Sequence, residues 1–323
     1  MTPTRAARLR IASTVVAAVV VAGLLAIAVL RFDLSRVGSE LALAQPAWVV
    51  AALLCFAAIL PLWAVQWWLL APATERRTLR NMLAVVSMTS SVLNTTPMLV
   101  GEAASVWFLA STAGIERAAG VAVLAMDQLL VGVAKVALIA GASLVLPATA
   151  VLPAGVQALA TGVLALTAAL LLAAWLPERT LHRMAARLPA RVEPIIIRIA
   201  AGLQPLRSPV TGGGALVLAL LKKGAELLAI LAIQRAFRVD LPASSALVVL
   251  AALNLATLLP LVPGNVGIYE ASVVLAYTWL GIPAERALGM AVVQHACYFV
   301  ALALPGYRWL ARSGSLRKSA AVP

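Results

Sequence analysis

Pro260-Leu261-Val262-Pro263-Gly264-Asn265-Val266-Gly267-Ile268-Tyr269-Glu270-Ala271 interrupts an otherwise apolar region, residues 243–282. That region is longer than the ~20 residues a helix needs to cross hydrocarbon. Two prolines and two glycines stop a helix at its centre. Residues 82–113 have the same form, broken by Asn94-Thr95-Thr96-Pro97 and again at Gly101-Glu102. Flanking charge decides how such broken segments run.

Composition places both regions in a membrane. Hydrophobic residues make up 63% of the 323-residue chain and charged residues 11%, with a mean hydropathy of +1.00. Soluble domains carry ~25% charged residues, so this chain has too few to clothe a water-facing surface. The same composition excludes disorder, and two cysteines exclude a disulfide scaffold. Cys55 and Cys297 lie inside apolar runs and read as buried thiols. The formal charge of +13 would suggest nucleic acid in a soluble protein. Here the basic residues lie between apolar runs, as cytoplasmic loops against anionic lipid require. No nucleic-acid partner is expected.

Six uncharged or nearly uncharged runs read as full spans: residues 11–30, 48–70, 117–146, 153–175, 215–236 and 287–310. The first is too long for a signal-peptide core and reads as uncleaved. Basic stretches at the N-terminus, Arg76 to Arg80, residues 178–210 and the C-terminus mark the cytoplasm. Residues 82–113 then begin and end inside, and residues 243–282 begin and end outside. Both are too short for two crossings, so each is expected to be a re-entrant helical hairpin, the two dipping in from opposite faces. The breaks are Pro97 and Gly101 in the first, and Pro263, Gly264 and Gly267 in the second. A hairpin tip cannot face lipid, because unpaired amides there cost several kcal/mol each, roughly. The expected fold is therefore all-α and polytopic, one integral membrane domain over residues 1–323 with both termini cytoplasmic. The insertion 178–210 carries Arg179, Arg183, Arg187, Arg191, Arg198 and Arg207, and reads as a basic, amphipathic segment on the cytoplasmic leaflet.

The two broken regions resemble each other. Gly101-Glu102-Ala103 is followed by Gly114-Ile115-Glu116-Arg117-Ala118 and Gly120; Tyr269-Glu270-Ala271 is followed by Gly281-Ile282, Glu285-Arg286-Ala287 and Gly289. With opposite orientations this is the pattern of an inverted repeat, whose interface near the midplane commonly holds a transport site.

These motifs also resemble the transmembrane region of lysylphosphatidylglycerol synthases, within a wider group of flippase-like membrane proteins. The resemblance rests on Gly101-Glu102 after a proline-bearing break, and on Pro263-Gly264-Asn265-Val266-Gly267-Ile268-Tyr269-Glu270-Ala271 with Leu280-Gly281-Ile282-Pro283-Ala284-Glu285-Arg286-Ala287. It implies two opposed hairpins and a role in moving lipid or lipid-linked headgroups between leaflets. The chain departs from that pattern at several points. Met98-Leu99-Val100 replaces a Gly-Gly, Asp127-Gln128 replaces an acidic-basic pair, Tyr269 stands where Arg is common, and Gln294-His295 stand where Tyr-Arg is common. The soluble aminoacyl-transfer domain of the fused synthases is expected to be missing after the last span.

An ionisable group at membrane depth costs roughly 2.5–3.5 kcal/mol on insertion scales and needs a partner or water. Glu102 and Glu270 follow the breaks, where a carboxylate can cap a helix start or face a cavity. Asp127 and Lys135 share a span but are set ~12 Å and ~80° apart, so each is expected to find a partner on another helix. Lys222 and Glu226, spaced i, i+4, can pair along their helix, with lysines there snorkelling to phosphates. His295 reads as a hydrogen-bonded structural residue or a proton relay. Trp48, Trp67, Trp68, Trp175, Trp279 and Trp309 read as interfacial and Trp63 and Trp107 as packing residues.

No metal, nucleotide or nucleophile constellation is visible, so no cofactor and no enzymatic chemistry is expected. The candidate binding or gating residues are Glu102, Asp127, Asn265, Tyr269, Glu270 and His295. Two functions stand. One is translocation of a lipid or lipid-linked headgroup in the cytoplasmic membrane through a cleft at the hairpin tips. The other is a non-transporting accessory subunit that docks a lipid- or glycan-modifying enzyme. Partners are membrane lipid, anionic lipid at the basic loops, and either a second copy of the chain or a membrane enzyme.

Overall fold

The computed structural model describes residues 32–96, 98–145, 180, 204–256 and 263–319. The expected spans at 11–30 and 153–175, Pro97, Trp175 and most of the 178–210 insertion lie outside the described residues. Those described form helices and turns with no strand among them.

The elements, in chain order, begin with α1 (Leu34–Ala42), capped by Asp33, whose carboxylate accepts the Ser35 and Arg36 amides. Then come α2 (Pro46–Ala57) and α3 (Ile59–Leu70). The sequence reads this stretch as one span, but Pro61 has no N–H and crowds the Ala57 carbonyl, so the helix breaks at Ala58. Next are α4 (Leu79–Leu93), α5 (Met98–Ala113), α6 (Arg117–Val145) and α7 (Pro209–Ala236). Thr78 caps α4, and Ser208 caps α7 with proline in its first turn. The chain ends in α8 (Ser245–Ala256), α9 (Ile268–Trp279), α10 (Ala284–Leu302) and α11 (Leu304–Ser319). Pro305 breaks the last expected span at Ala303.

Among the described residues, three stretches are long and apolar enough to cross a membrane: Pro46–Leu70, Arg117–Leu138 and Ala284–Arg312. This is an α-helical membrane protein. α7 is also long, 28 residues or ~42 Å, but Lys222, Lys223 and Glu226 interrupt its centre.

Helices α4 and α5 pack on each other as a hairpin, and so do α8 and α9. The two hairpins open toward opposite ends of α7. Thr74, before α4, donates to the Ala113 carbonyl at the end of α5 (2.8 Å). At that same end Gln66 of α3 donates to Ala215 of α7 (3.2 Å). At the other end of α7, Gln234 donates to Ser245 at the start of α8 (3.0 Å). Glu40 of α1 pairs there with Arg286 of α10 (2.8 Å). The repeated motif also has a repeated geometry: Gly114 and Gly281 both have positive φ, 69° and 86°, and both end a hairpin's second arm before a long helix.

Gly101 is not a break. It lies inside α5, where a Cβ would come within 2.5 Å of the Leu93 side chain on α4. Its role is close packing of the two arms, and the first turn includes residues 94–96. The tryptophan reading also needs correction. Trp67 is buried at 1% exposure, edge-to-face with Trp63, whereas Trp107 is 39% exposed. α3 turns Trp67 into the core, and α5 turns Trp107 outward.

Candidate functional site

The second hairpin's turn is built from residues that tolerate left-handed backbone. Gly264, Asn265 and Gly267 have φ of 65°, 54° and 84°. Pro263–Asn265 form one short 3₁₀ turn. Glu270, in the first turn of α9, accepts the Gly267 N–H at 2.6 Å and so closes the turn. Its other oxygen meets His295 Nδ1 of α10 at 2.6 Å. The His295 ring stacks on Tyr269, centroids 4.2 Å apart, and the Tyr269 hydroxyl accepts from Gln294 at 2.8 Å. Glu270, His295 and Tyr269 thus fasten the turn to α10.

Two adjoining cavities, of about 290 Å³ and about 200 Å³, meet this turn. The first is lined by α3, α4, α5, α6, α7 and α10, the second by α2, α6, α7, α8, α9 and α10. They share Val131, Lys223, Glu226, Asn265 and Tyr298. Asn265 stands at the seam, its Oδ1 buried and without a hydrogen bond among the described residues.

Among the described residues, six acidic or basic side chains line the pair: Glu102, Asp127, Lys135, Lys222, Lys223 and Glu226. Lys222 Nζ meets Asp127 Oδ1 at 3.2 Å, with side chains only 8% and 5% exposed. The Trp63 indole donates to the other Asp127 oxygen at 3.0 Å, and Lys222 lies 5.4 Å from the Trp63 ring centroid. Lys223 contacts both Glu226 oxygens at 2.8 Å and Asn254 Oδ1 at 3.1 Å. Asn254 is held for that contact by its own bond to the Leu250 carbonyl (2.7 Å). Among the described residues Glu102 accepts from Gln128 alone, at 3.3 Å.

The candidates from the sequence therefore separate. Glu102, Asp127 and Asn265 line the first cavity, and Asn265 and Tyr269 the second. Glu270 and His295 line neither and act behind the turn. The i, i+4 pairing of Lys222 with Glu226 gives way to Lys222–Asp127 and Lys223–Glu226, since Lys222 faces α6 while Lys223 lies between Glu226 on its own helix and Asn254 on α8. Neither lysine snorkels. Trp63 belongs to the site rather than to packing alone. Lys135, Gln128 and Asn254 are further site residues, legible only as polar positions in apolar runs.

The family model of the lysylphosphatidylglycerol synthase transmembrane region matches residues 14–306. The chain belongs to this family. Nearly all the site described above falls within the match, including both hairpins. No curated protein and no solved structure matches significantly. Family membership makes this a lipid-related membrane protein.

Proposed function

We propose that this family member carries a lipid or lipid-linked headgroup between the leaflets of the cytoplasmic membrane, through the cleft between its hairpin tips. The observation behind this reading is the gathering of six acidic or basic side chains around the midpoint of α7, ~20 Å from either helix end, in a chain with 11% charged residues. Charge at that depth is kept where it contacts cargo, ions or water. The hairpin arms have 15, 16, 12 and 12 residues. At ~18–24 Å they fall short of ~30 Å of hydrocarbon. In this reading they are re-entrant, they form an inverted repeat, and both chain termini are cytoplasmic.

A headgroup enters the cleft sideways while its acyl chains stay in hydrocarbon. Glu102 offers an uncompensated acceptor to it. Asp127 and Lys222 satisfy each other and keep the wall in place. Glu270 sets the position of the second turn and so gates the passage. The protein makes and breaks no covalent bond in this scheme.

The test is leaflet-resolved movement of fluorescent phospholipids in liposomes holding the purified full chain. Wild type is expected to equilibrate lipid faster than empty liposomes, and Glu102→Gln to slow this by ~10-fold, the loss of one charge-assisted contact. Wild-type liposomes no faster than empty ones would overturn the reading.

A further inference from the structure

The cleft's charges balance overall but not locally. Three ammonium groups and three carboxylates line the two cavities. Four of them satisfy each other as Asp127–Lys222 and Glu226–Lys223. Glu102 and Lys135 remain, and among the described residues neither has an ion-pair partner. Glu102 belongs to the first cavity and Lys135 to the second. Among the described residues, one end of the passage thus holds a carboxylate and the other an ammonium without a direct ion pair, Lys135 meeting Glu226 only at longer range.

Helix α6 fixes their spacing. Gln128, which holds Glu102 (3.3 Å), and Lys135 are seven residues apart, so they lie on one face ~10 Å apart along the axis. Val131, one turn from each, lines both cavities between them. A ligand that meets both ends needs an ammonium for Glu102 and an anion for Lys135, joined by a linker that passes Val131.

We propose that the cleft selects a headgroup carrying a phosphodiester and an ammonium together, its amine at Glu102 and its phosphate at Lys135. This rests on the reading above that a headgroup occupies the cleft. A purely anionic headgroup leaves Glu102 without a counter-charge, and a headgroup of net positive charge overloads the Lys135 end. Because the described residues of the cleft carry no net formal charge, the ligand that neutralises both ends has none either.

The experiment is equilibrium binding of short-chain lipids to the purified full chain in detergent. The probes carry a zwitterionic phosphoethanolamine, an anionic phosphoglycerol or a net-cationic aminoacylated phosphoglycerol headgroup. Wild type is expected to bind the zwitterionic probe tightest, and Glu102→Gln and Lys135→Gln each to weaken it ~10-fold. The two variants should shift preference in opposite directions, Glu102→Gln toward the anionic probe and Lys135→Gln toward the cationic one. Lys135→Arg, which keeps the charge, should keep the wild-type order and shows whether a Lys135→Gln result reflects charge or misfolding. Equal or tighter wild-type binding of the anionic probe, no binding of any probe, or the absence of opposed shifts overturns the proposal. Binding as expected with no lipid movement in liposomes would leave this selectivity standing and remove the transport reading. Movement of all three lipids at one rate would do the reverse.

Discussion

Gly264, in the turn of the second hairpin, lies directly on the backbone carbonyl of Asn94, in the turn of the first: a Cβ on Gly264 would come 2.8 Å from that oxygen. The two tips therefore touch at the wall of the cleft. Any side chain at residue 264 must displace the opposing turn, and it must do so from a left-handed backbone (φ 65°).

Gly264→Ala should therefore destabilise the protein by about 1–3 kcal/mol, combining backbone strain with the collision. The measurement is thermal unfolding in detergent. A melting temperature equal to wild type would mean that the tips do not meet as described.

The Asp127–Lys222 pair gives a sharper case. Removing one partner strands a buried charge, so Asp127→Asn or Lys222→Met alone should cost about 3–5 kcal/mol. The double variant should recover part of the loss, with a coupling above ~1 kcal/mol in a double-mutant cycle. Additive losses would show that the two side chains act separately.

Glu270→Gln removes the charge from two contacts of the second turn, those with the Gly267 amide and His295. In a background with Cys55 and Cys297 changed to Ala, a cysteine introduced at Val266 should react faster with a small maleimide in this variant. An unchanged rate would place the closure of the turn elsewhere.

Opposed hairpin openings predict opposite labelling. Glu75, before α4, and Asp240, before α8, are both exposed. Cysteines placed there should be modified by an impermeant reagent from opposite sides of a sealed vesicle. Labelling from one side would exclude the inverted arrangement.

Much of this architecture is legible in the residues themselves. Prolines, glycines and asparagine mark the turns because few residues accept those dihedrals, and the shared Gly-Ile and Glu-Arg-Ala motifs mark the repeat. The second turn falls where Pro263, Gly264 and Gly267 place it. The pairing of charges is not legible in the same way. Lys222 and Lys223 are adjacent, and only the direction in which α7 turns toward α6 decides which of them meets Asp127. Periodicity gives the face of a helix but not its neighbour, so Trp63 reads as packing until α3 is seen against Asp127. Gly101 misleads for a related reason, since a glycine that ends a helix and one that admits a neighbouring arm look alike in a string of letters.

Trp63, Asp127 and Lys222 bolt α3, α6 and α7 together at mid-depth, which leaves little freedom for those three to slide or rock. Under the proposed lipid movement, shape change has to be carried by the hairpins and the proline bends at Ala58 and Ala303, with the frame standing still. Spin labels paired across α3 and α7 should report one sharp distance throughout, while a pair across Thr96 and Val266 broadens.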